Sequence, residues 1–213
     1  MTIHIVDNFY PNPDEVRENA LKMYFYPGRR GKKMHFPGDR TVGTFSSENR
    51  LFLKNKLEKT IGARIIEFPA KNSNGAFTLG LKKENEFLNW IHHDQAGKFE
   101  SDLKKSGGRA WACIVYLQPK ALIGTGTGLF RSKKTGLVTK SDDLKIDTNA
   151  GFKGEWKASN PNWELHTYVG NVYNRCVIYP ANYWHAPMNA SFGHNKDTGR
   201  LVQVGFFTTE NNL

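Results

Sequence analysis

From residue 64 onward the chain consists of short stretches rich in β-branched and aromatic residues, each bounded by Gly, Pro, Asn or Asp. Seven stretches have this form: ARIIEFPA, GAFTLGLK, FLNWIHHD, RAWACIVYLQP, WELHTYV, NRCVIYPA and RLVQVGFF. No helical pattern intervenes between these predicted strands. Such a succession is typical of a sandwich, jelly roll or barrel rather than of a parallel α/β sheet.

The residues before this region carry two helical patterns, which follow a short alternating strand, TIHIVD. In NPDEVRENALKMYFY, Asn12 is placed to cap a helix and Pro13 to begin it, and the pattern ends near Pro27. A second helix is predicted from residue 46 or 47 to residue 60, with Gly62 placed to end it. The chain therefore begins with helices and continues with strands.

The length and hydropathy of the chain predict one soluble domain. Its 213 residues suffice for one full apolar core and are too few for two. We expect helical elements over about 13–60, a β core over about 64–210, and an insertion over about 131–162. The first residues lack the features of a signal peptide, and no apolar run approaches the roughly 18 residues of a membrane span. The expected location is the cytoplasm, without a membrane partner.

The charge of the chain is strongly unbalanced, with 30 Lys and Arg residues against 20 Asp and Glu residues. Such an excess favours anionic partners, which include nucleic acid, phosphorylated metabolites and other anions. The segments GLKKE, DLKKSG and RSKKTG are typical of solvated loops, but together they are also suited to hold an acidic substrate near a site. Cys113 and Cys176 lie in apolar runs, which favours buried reduced thiols and leaves a disulfide open.

Two histidines and a carboxylate occupy consecutive positions in NWIHHDQ, residues 89–95. In a strand, side chains two positions apart share a face, so His92 and Asp94 converge while His93 faces away. This pair alone is a weak signal, because an HxD triplet arises often by chance. The segment NRCVIYPANYWHAP adds a candidate third ligand, His185, among aromatic residues. Two histidines and one carboxylate form the facial triad that suits non-haem Fe(II), although a single histidine in such surroundings is more commonly a core residue.

A cation precedes the last apolar strand. Arg200 comes 15 residues after His185 and heads RLVQVGFF. A buried arginine requires an anion, and in a metal site with open positions that anion is suited to be the carboxylate of a bound cosubstrate, held bidentately by the guanidinium. The alternative is an arginine at a strand edge, in contact with solvent.

Taken together, these residues resemble the 2-oxoglutarate and Fe(II)-dependent dioxygenases, in particular the small prolyl-hydroxylase-like members of phages and bacteria. The resemblance covers the order HxD, distal His, Arg, and three segments: VDNFYPNPDEVRENAL, IVYLQP with GTGTGLFRS, and VYNRCVIYPANYWHAP. It implies a mainly β (α+β) fold, a double-stranded β-helix (jelly roll) with N-terminal helices packed on one sheet. It also implies Fe(II) as the metal, with 2-oxoglutarate and O₂ as cosubstrates.

The resemblance assigns roles to individual residues. Three of them would hold the iron: His92, Asp94 and His185. Arg200 would pair with the distal carboxylate of 2-oxoglutarate, and Tyr116 would offer a hydroxyl to the same cosubstrate. The implied reaction is hydroxylation of an amino acid, a peptidyl (prolyl-like) group or a small metabolite. The oligomeric state is not indicated.

The pocket of such an enzyme needs walls, and four aromatic residues are candidates: Trp90, Tyr183, Trp184 and Phe206. Many relatives carry Ser or Thr two residues after the arginine, where this chain has Val202. One hydrogen bond to the cosubstrate is therefore missing or comes from elsewhere.

The RxNxTxR-like run of nucleic-acid demethylases is also missing, which argues against a nucleic-acid substrate. Two alternatives remain: a cupin-like binding protein that is not catalytic or holds another metal, and a basic nucleic-acid-binding module.

Overall fold

A computed structural model gives the fold of the protein. The described residues are 2–27, 29–30, 33–34, 38–43, 47–68, 74–82, 88–94, 107–140, 151–153, 156–189 and 191–210. Within them, antiparallel strands predominate, and two α-helices lie in the first third of the chain. The predicted order of helices before most strands is confirmed.

The first helix, α1, covers Pro13–Lys22 and begins where the sequence predicts. No side-chain hydrogen bond from Asn12 caps it, so the prediction of a capping side chain is wrong. The helix also ends before the predicted Pro27. The reason is tertiary pairing, because Tyr26 forms an isolated antiparallel bridge with Arg40 and the chain must be extended to do so.

The second helix, α2, covers Ser47–Ile61 as predicted. Gly62 ends it with a φ of +75°, a left-handed conformation that glycine adopts without steric cost. Leu53 and Leu57 of α2 are buried together with Ala20 of α1 in one apolar cluster. Neither described helix has the length and apolar character that crossing a membrane would require.

The strands are short, and most match the predicted stretches. In chain order they are β1 His4–Val6, β2 Arg29–Arg30, β3 Lys33–Met34, β4 Asp39–Arg40, β5 Ile65–Glu67, β6 Phe77–Gly80, β7 Leu88–Trp90, β8 Arg109–Tyr116, β9 Thr127–Ser132, β10 Gly151–Lys153, β11 Trp163–Val169, β12 Cys176–Pro180, β13 His185–Pro187 and β14 Arg200–Thr209. Strand β9 was not predicted, because its first residues belong to a Gly- and Thr-rich run that has the composition of a turn. Strand β10, which lies in the predicted insertion and pairs with β7, was not predicted either, nor were the short strands β2, β3, β4 and β13.

The strands form a jelly roll. The major sheet has the order β1-β12-β8-β14-β6-β4, with β5 also paired to β14, and the minor sheet has the order β11-β9-β13. All of these pairs are antiparallel, and most neighbours in a sheet are distant in sequence. The mainly β jelly roll predicted from the sequence is confirmed.

Side-chain alternation gives the major sheet two different faces. Trp111 and Val115 of β8, with Leu201 and Phe207 of β14, pack against the two helices. The N-terminal helices therefore cover one sheet, as predicted. The opposite face contributes a second cluster, which includes Ala112, Tyr116, Val177 and Val202 and which packs with Leu129 of the minor sheet. This inner face, between the sheets, holds the candidate site.

The two cysteines lie in the major sheet, Cys113 on β8 and Cys176 on β12. Both are buried and free, so the prediction of reduced thiols is confirmed. Burial is the main cause that raises the pKa of the Cys176 thiol well above its ordinary value. A thiol held protonated in this way is a weak nucleophile, so we assign it a packing role.

Candidate metal centre

The structure brings the three predicted ligands together. His92, Asp94 and His185 each contribute one ligand atom to a cluster in which all three atoms lie within 4.8 Å of one another. Asp94 Oδ1 is 3.8 Å from His92 Nε2, and Asp94 Oδ2 is 3.3 Å from His185 Nε2. Donors that are about 2.1 Å from a shared cation are separated by roughly 3 to 4 Å. In the described part of the chain, no other group of three such residues has this arrangement.

Backbone hydrogen bonds place these side chains. His92 and His185 form an isolated antiparallel bridge, in which the His92 amide donates to the His185 carbonyl at 2.9 Å and the reverse bond is 2.8 Å long. Residues directly opposite each other in an antiparallel pair project their side chains to the same face. The amide of Asp94 donates to the carbonyl of Ala181 at 2.8 Å, which fixes the carboxylate beside the two imidazoles.

Both histidines have a defined tautomer. His92 Nδ1 lies 2.9 Å from the carbonyl oxygen of Trp90, and His185 Nδ1 lies 2.9 Å from the carbonyl oxygen of Tyr183. Because a carbonyl only accepts hydrogen bonds, each Nδ1 carries the proton. Each Nε2 therefore has its lone pair available on the side of the Asp94 carboxylate, which is the arrangement of a metal-binding histidine.

The protonation state of His185 also suits a ligand. Its side chain is buried, and this burial lowers the pKa of His185 to about 4, although the nearby Asp94 carboxylate opposes the shift. The imidazole is consequently neutral at neutral pH, as metal binding requires. Two neutral imidazole nitrogens and one carboxylate are the donor set of non-haem Fe(II) sites with open positions, so the residues present fit that ion.

The cluster borders a cavity of about 260 Å³. The major sheet supplies most of its apolar wall, mainly Ala112, Ile114, Val202, Val204 and Phe206. Five polar or charged side chains other than the cluster also line it: Arg40, Thr78, Thr127, Tyr179 and Arg200. A concave, mostly apolar space with a few polar groups beside a metal cluster has the character of a ligand site.

Arg200 is a buried cation in the wall of this cavity. Its exposed fraction is only 5%, so the alternative of a solvent-facing strand-edge arginine is wrong. Its Nε donates to the carbonyl of Thr125 at 3.1 Å, and its guanidinium carbon lies 5.9 Å from the centre of the Tyr116 ring. None of the ion pairs between described residues includes Arg200. Burial lowers the pKa of Arg200, but a guanidinium remains charged, so the site is suited to a bound anion.

Tyr116 lies behind the cavity wall. Its side chain is fully buried, and its hydroxyl is 2.7 Å from the hydroxyl of Thr127. Burial raises the pKa of Tyr116 to about 12, and Arg200 partly opposes this effect. Thr127 itself lines the cavity. The phenol and the threonine hydroxyl thus form a pair in which Thr127 is the member in direct contact with the cavity.

Val202 lies in the cavity wall, and hydroxyl groups flank it. Thr78 of β6 is its register partner and also lines the cavity. Thr127, on β9 of the minor sheet, lines the cavity as well. The hydroxyl that Val202 lacks is therefore available from β6 or from β9.

The predicted aromatic walls are only half right. Trp90 and Phe206 line the cavity, whereas Tyr183 and Trp184 do not. Tyr183 packs in the cluster between the sheets, and Trp184 packs against the Trp163 ring at 5.1 Å. Both are drawn into apolar clusters beside the cavity, where an aromatic ring buries more of its surface.

Four polar or charged lining residues were not predicted from the sequence: Arg40, Thr78, Thr127 and Tyr179. Thr78 and Tyr179 lie in predicted strands, and alternation within those strands is a signal that would have placed them on one face or the other. Arg40 lies in GDRTVG, which has no strand pattern, so its position depends on pairing that the sequence does not reveal. Tyr179 is in ring contact with His185, at 4.8 Å between centroids.

Residues 1–207 match the family model described as "Family of unknown function (DUF6445)", and the chain belongs to this family. No curated protein sequence matches the chain.

Several solved structures share its fold. The epimerase SnoN from nogalamycin biosynthesis, in complex with Fe³⁺, alpha ketoglutarate and nogalamycin RO, is 13% identical, covers 97% of this chain and 78% of its own, and has a TM-score of 0.58. HygX from Streptomyces hygroscopicus, with nickel, 2-oxoglutarate and hygromycin B bound, is 10% identical, with coverage of 97% and 82% and a TM-score of 0.56. A prolyl hydroxylase from Trichoplax adhaerens, in complex with a hypoxia inducible factor peptide fragment, is 11% identical, with coverage of 98% and 83% and a TM-score of 0.52.

The chain therefore has the fold of the 2-oxoglutarate-dependent non-haem iron oxygenases, the class that it resembles in sequence. At identities of 10 to 13% this similarity describes architecture. The chemistry has to be inferred from the site itself.

Proposed function

We propose that the protein is a non-haem Fe(II) and 2-oxoglutarate-dependent oxygenase that hydroxylates an amino acid, a peptidyl group or a small metabolite. One observation carries this proposal: a His-Asp-His cluster with both Nε2 atoms available shares a cavity with a buried arginine that pairs with no described carboxylate. A metal cluster and an anion anchor in one small cavity are what a chelating dicarboxylate cosubstrate requires.

The iron would be held by His92, Asp94 and His185. When bound, Fe(II) and 2-oxoglutarate supply the activation of O₂ and the oxidation of the substrate. The chain supplies the ligand geometry, because the reciprocal amide bonds between the two histidines fix their rings on one face. The Nδ1 bonds to the carbonyls of Trp90 and Tyr183 hold both imidazoles in the tautomer that binds a metal.

The cosubstrate would be held at its distal carboxylate by Arg200. A guanidinium pairs bidentately with a carboxylate, and in a buried site this pairing is strong because water does not compete. We assign Thr127 the hydroxyl that Val202 does not offer, since Thr127 lines the cavity and contacts Tyr116. Tyr116, predicted as a direct ligand of the cosubstrate, would then also orient the Thr127 hydroxyl through their shared hydrogen bond.

The substrate would enter beside Trp90, which lines the cavity and is 41% exposed. A space of about 260 Å³ is small for a ligand site, so the reacting part of the substrate must be compact. The solved structures with this fold include a complex with a peptide fragment and a complex with hygromycin B. Both a small molecule and the end of a peptide therefore agree with such a cavity.

Succinate formation tests this proposal. Wild-type protein supplied with Fe(II), 2-oxoglutarate, ascorbate and O₂ is expected to release succinate, either slowly alone or faster with a substrate. Omitting Fe(II), or substituting His92→Ala, is expected to reduce succinate to background. His166→Ala is the matched control, because His166 is exposed and contacts Arg131 on the surface. Metal binding by the wild type without succinate formation would contradict the proposal and favour a cupin-like binding protein.

The reaction outcome requires a separate measurement. Hydroxylation adds one oxygen atom from O₂ to the product, whereas epimerisation, the activity named for SnoN, adds none. Mass spectrometry of the product formed under ¹⁸O₂ is expected to show one incorporated ¹⁸O atom. A product of unchanged mass would retain the oxygenase class of the proposal and overturn the hydroxylase assignment.

A further inference from the structure

The wall of the cavity contains a second arginine, Arg40, which the major sheet supplies. Arg40 lies on β4, the edge strand, and pairs in register with Thr78, which in turn pairs with Val202 of β14. Directly opposite residues share a face, so the side chains of these three residues project to the cavity. With strands about 4.8 Å apart, the Arg40 Cα lies about 10 Å from that of Val202.

A hydrogen bond to the neighbouring strand β6 orients the Arg40 side chain. Its Nε donates to the Thr78 hydroxyl at 3.0 Å. A guanidinium has five N–H donors, and one contact through Nε fixes its plane while the terminal nitrogens face other partners. The two terminal nitrogens of a guanidinium match the two oxygens of a carboxylate. Each terminal nitrogen has two N–H donors, so it can bind a carboxylate and also contact the protein.

Arg40 is also electrostatically close to the metal cluster. Desolvation lowers the pKa of Arg40 to about 10, and the Asp94 carboxylate opposes this shift. The side chain therefore remains a cation at neutral pH, and it lines the same cavity as Asp94. Among the described residues that line the cavity, two side chains are cations at neutral pH: Arg40 and Arg200.

The two arginines differ in their access to solvent. Arg200 is deep in the fold, whereas Arg40 is half-buried and its bridge partner Tyr26 is 48% exposed. Trp90, which lines the cavity and is 41% exposed, adds an aromatic face to the open side. A molecule that enters after the cosubstrate meets this open side first.

We propose that Arg40 binds a carboxylate of the primary substrate, which makes the substrate a free amino acid, a small carboxylic acid or the C-terminal residue of a peptide. This inference rests on the proposed function, because it assumes that Arg200 holds the cosubstrate. The small cavity agrees with it, since a substrate anchored near the metal cluster must place its reacting carbon within a short distance of the anchored carboxylate. Arg40 then determines which end of the substrate enters.

Binding of acid and amide pairs tests this role. Protein loaded with Ni(II) and 2-oxoglutarate, which does not turn over, is titrated calorimetrically with three probes: N-acetyl-L-proline, N-acetyl-L-phenylalanine and N-acetyl-L-lysine. Each is compared with its carboxamide, which has the same shape without the charge. A hydrogen bond to a charged group contributes about 1.5–3 kcal/mol, so at least one acid is expected to bind roughly 10- to 100-fold more tightly than its amide.

Variants then test whether Arg40 causes the preference for the acid over its carboxamide. Arg40→Gln is expected to abolish the acid preference and Arg40→Lys to retain part of it. Arg64→Gln removes a surface arginine that pairs with Glu210, and it is expected to retain the full preference. Equal binding of acids and amides by the wild type, or an unchanged preference in Arg40→Gln, would overturn the role of Arg40.

The same titrations separate this inference from the proposed function. If the wild type binds no 2-oxoglutarate in the presence of Ni(II), the proposed function fails. If it binds 2-oxoglutarate but shows no acid preference, only the role of Arg40 fails. If Arg40→Gln weakens Ni(II) binding by more than a few-fold, Arg40 acts by positioning Asp94, and the substrate role is also overturned.

Discussion

The two sheets of the jelly roll hold the candidate site in different ways. Arg200 begins the ten-residue strand β14, which is paired on one side with β8 and on the other with β6. His185 begins the three-residue strand β13, and His92 lies outside any named strand, held mainly by its reciprocal bridge to His185. The anion end of the site, at Arg200, is thus part of a continuous β ladder. The metal end, at His92, Asp94 and His185, depends on a few hydrogen bonds.

This difference suggests how the two ends depend on their ligands. A side chain on a long, doubly paired strand is positioned whether or not its ligand is present. Ligands on short, weakly paired segments gain more from the metal, because the ion adds cross-links that the backbone lacks. We therefore expect metal binding to stabilise the protein, and we expect 2-oxoglutarate to bind after the metal.

The largest expected effect is at the metal end. Asp94→Asn removes the carboxylate of the proposed ligand set but keeps the size of the side chain, so saturable Fe(II) binding and the rise in melting temperature on adding Fe(II) are both expected to be lost. Asp197→Asn is the control, because Asp197 is exposed and its carboxylate makes only a long ion pair, at 3.9 Å, with Arg17. Unchanged Fe(II) affinity in Asp94→Asn would show that the metal, if bound, lies elsewhere.

The next effect is at the anion end. Arg200→Gln is expected to weaken 2-oxoglutarate binding by at least about 30-fold, since losing one partner of a buried, hydrogen-bonded charge pair costs about 2–5 kcal/mol. Fe(II) affinity is expected to remain within a few-fold of the wild type. Arg200→Lys should recover part of the loss, because it keeps the charge without the bidentate geometry. A loss of both ligands together would mean that the two ends are not independent.

The buried imidazole gives the metal end a pH dependence of its own. In the metal-free protein the pKa of His185 is about 4, below its unfolded value, so the unfolded chain binds more protons between about pH 6.5 and 4. The free energy of unfolding is therefore expected to decrease as pH falls through this window, by up to about 3 kcal/mol, and His185 contributes no pH dependence above it. Urea unfolding at pH 7.5 and 4.5 measures the change.

His185→Gln provides the comparison for this pH effect. Glutamine does not titrate, so the loss of stability between the two pH values is expected to be smaller in the variant, while contributions from other groups remain common to both proteins. An equal loss in the two proteins would show that His185 is not held neutral by burial.

The smallest effect concerns the hydroxyl pair. Thr127→Val is expected to weaken 2-oxoglutarate binding about 2- to 10-fold, which corresponds to one hydrogen bond of about 0.5–1.5 kcal/mol. The control is Thr60→Val, which removes a hydroxyl that donates to the Lys56 carbonyl within α2. Unchanged affinity in Thr127→Val would leave the anion end to Arg200 and Tyr116.

The part of the site that was predictable from the sequence depends on local geometry. His92 and Asp94 share a face because they are two residues apart in extended chain, and Arg200 was noticeable as a charge at the head of an apolar strand. His185 could be named only as a candidate third ligand from its aromatic surroundings, because a single histidine has no specific spacing, and the family resemblance then gave it the role of a ligand. Helix α2 and the strands within the predicted stretches were equally readable, since their periodicity and boundary residues agree with the final fold.

The parts that were missed depend on long-range pairing. Arg40 reaches the cavity only because β4 pairs with β6, and the same neighbourhood ends α1 early through the bridge between Tyr26 and Arg40. Strand β9 forms from a Gly- and Thr-rich run because it has a partner on each side, β11 and β13. In each case a tertiary partner overrides the local preference of the sequence.

The central claim is that one cavity binds Fe(II) and 2-oxoglutarate together, and an anaerobic titration tests it most directly. Fe(II) is added first and 2-oxoglutarate second, while the visible absorption is recorded. We predict a metal-to-ligand charge-transfer band that saturates at one equivalent of each, disappears in Asp94→Asn, and requires much more 2-oxoglutarate in Arg200→Gln. A wild-type protein that gives no band with both ligands present, or an equal band in Asp94→Asn, would contradict the account.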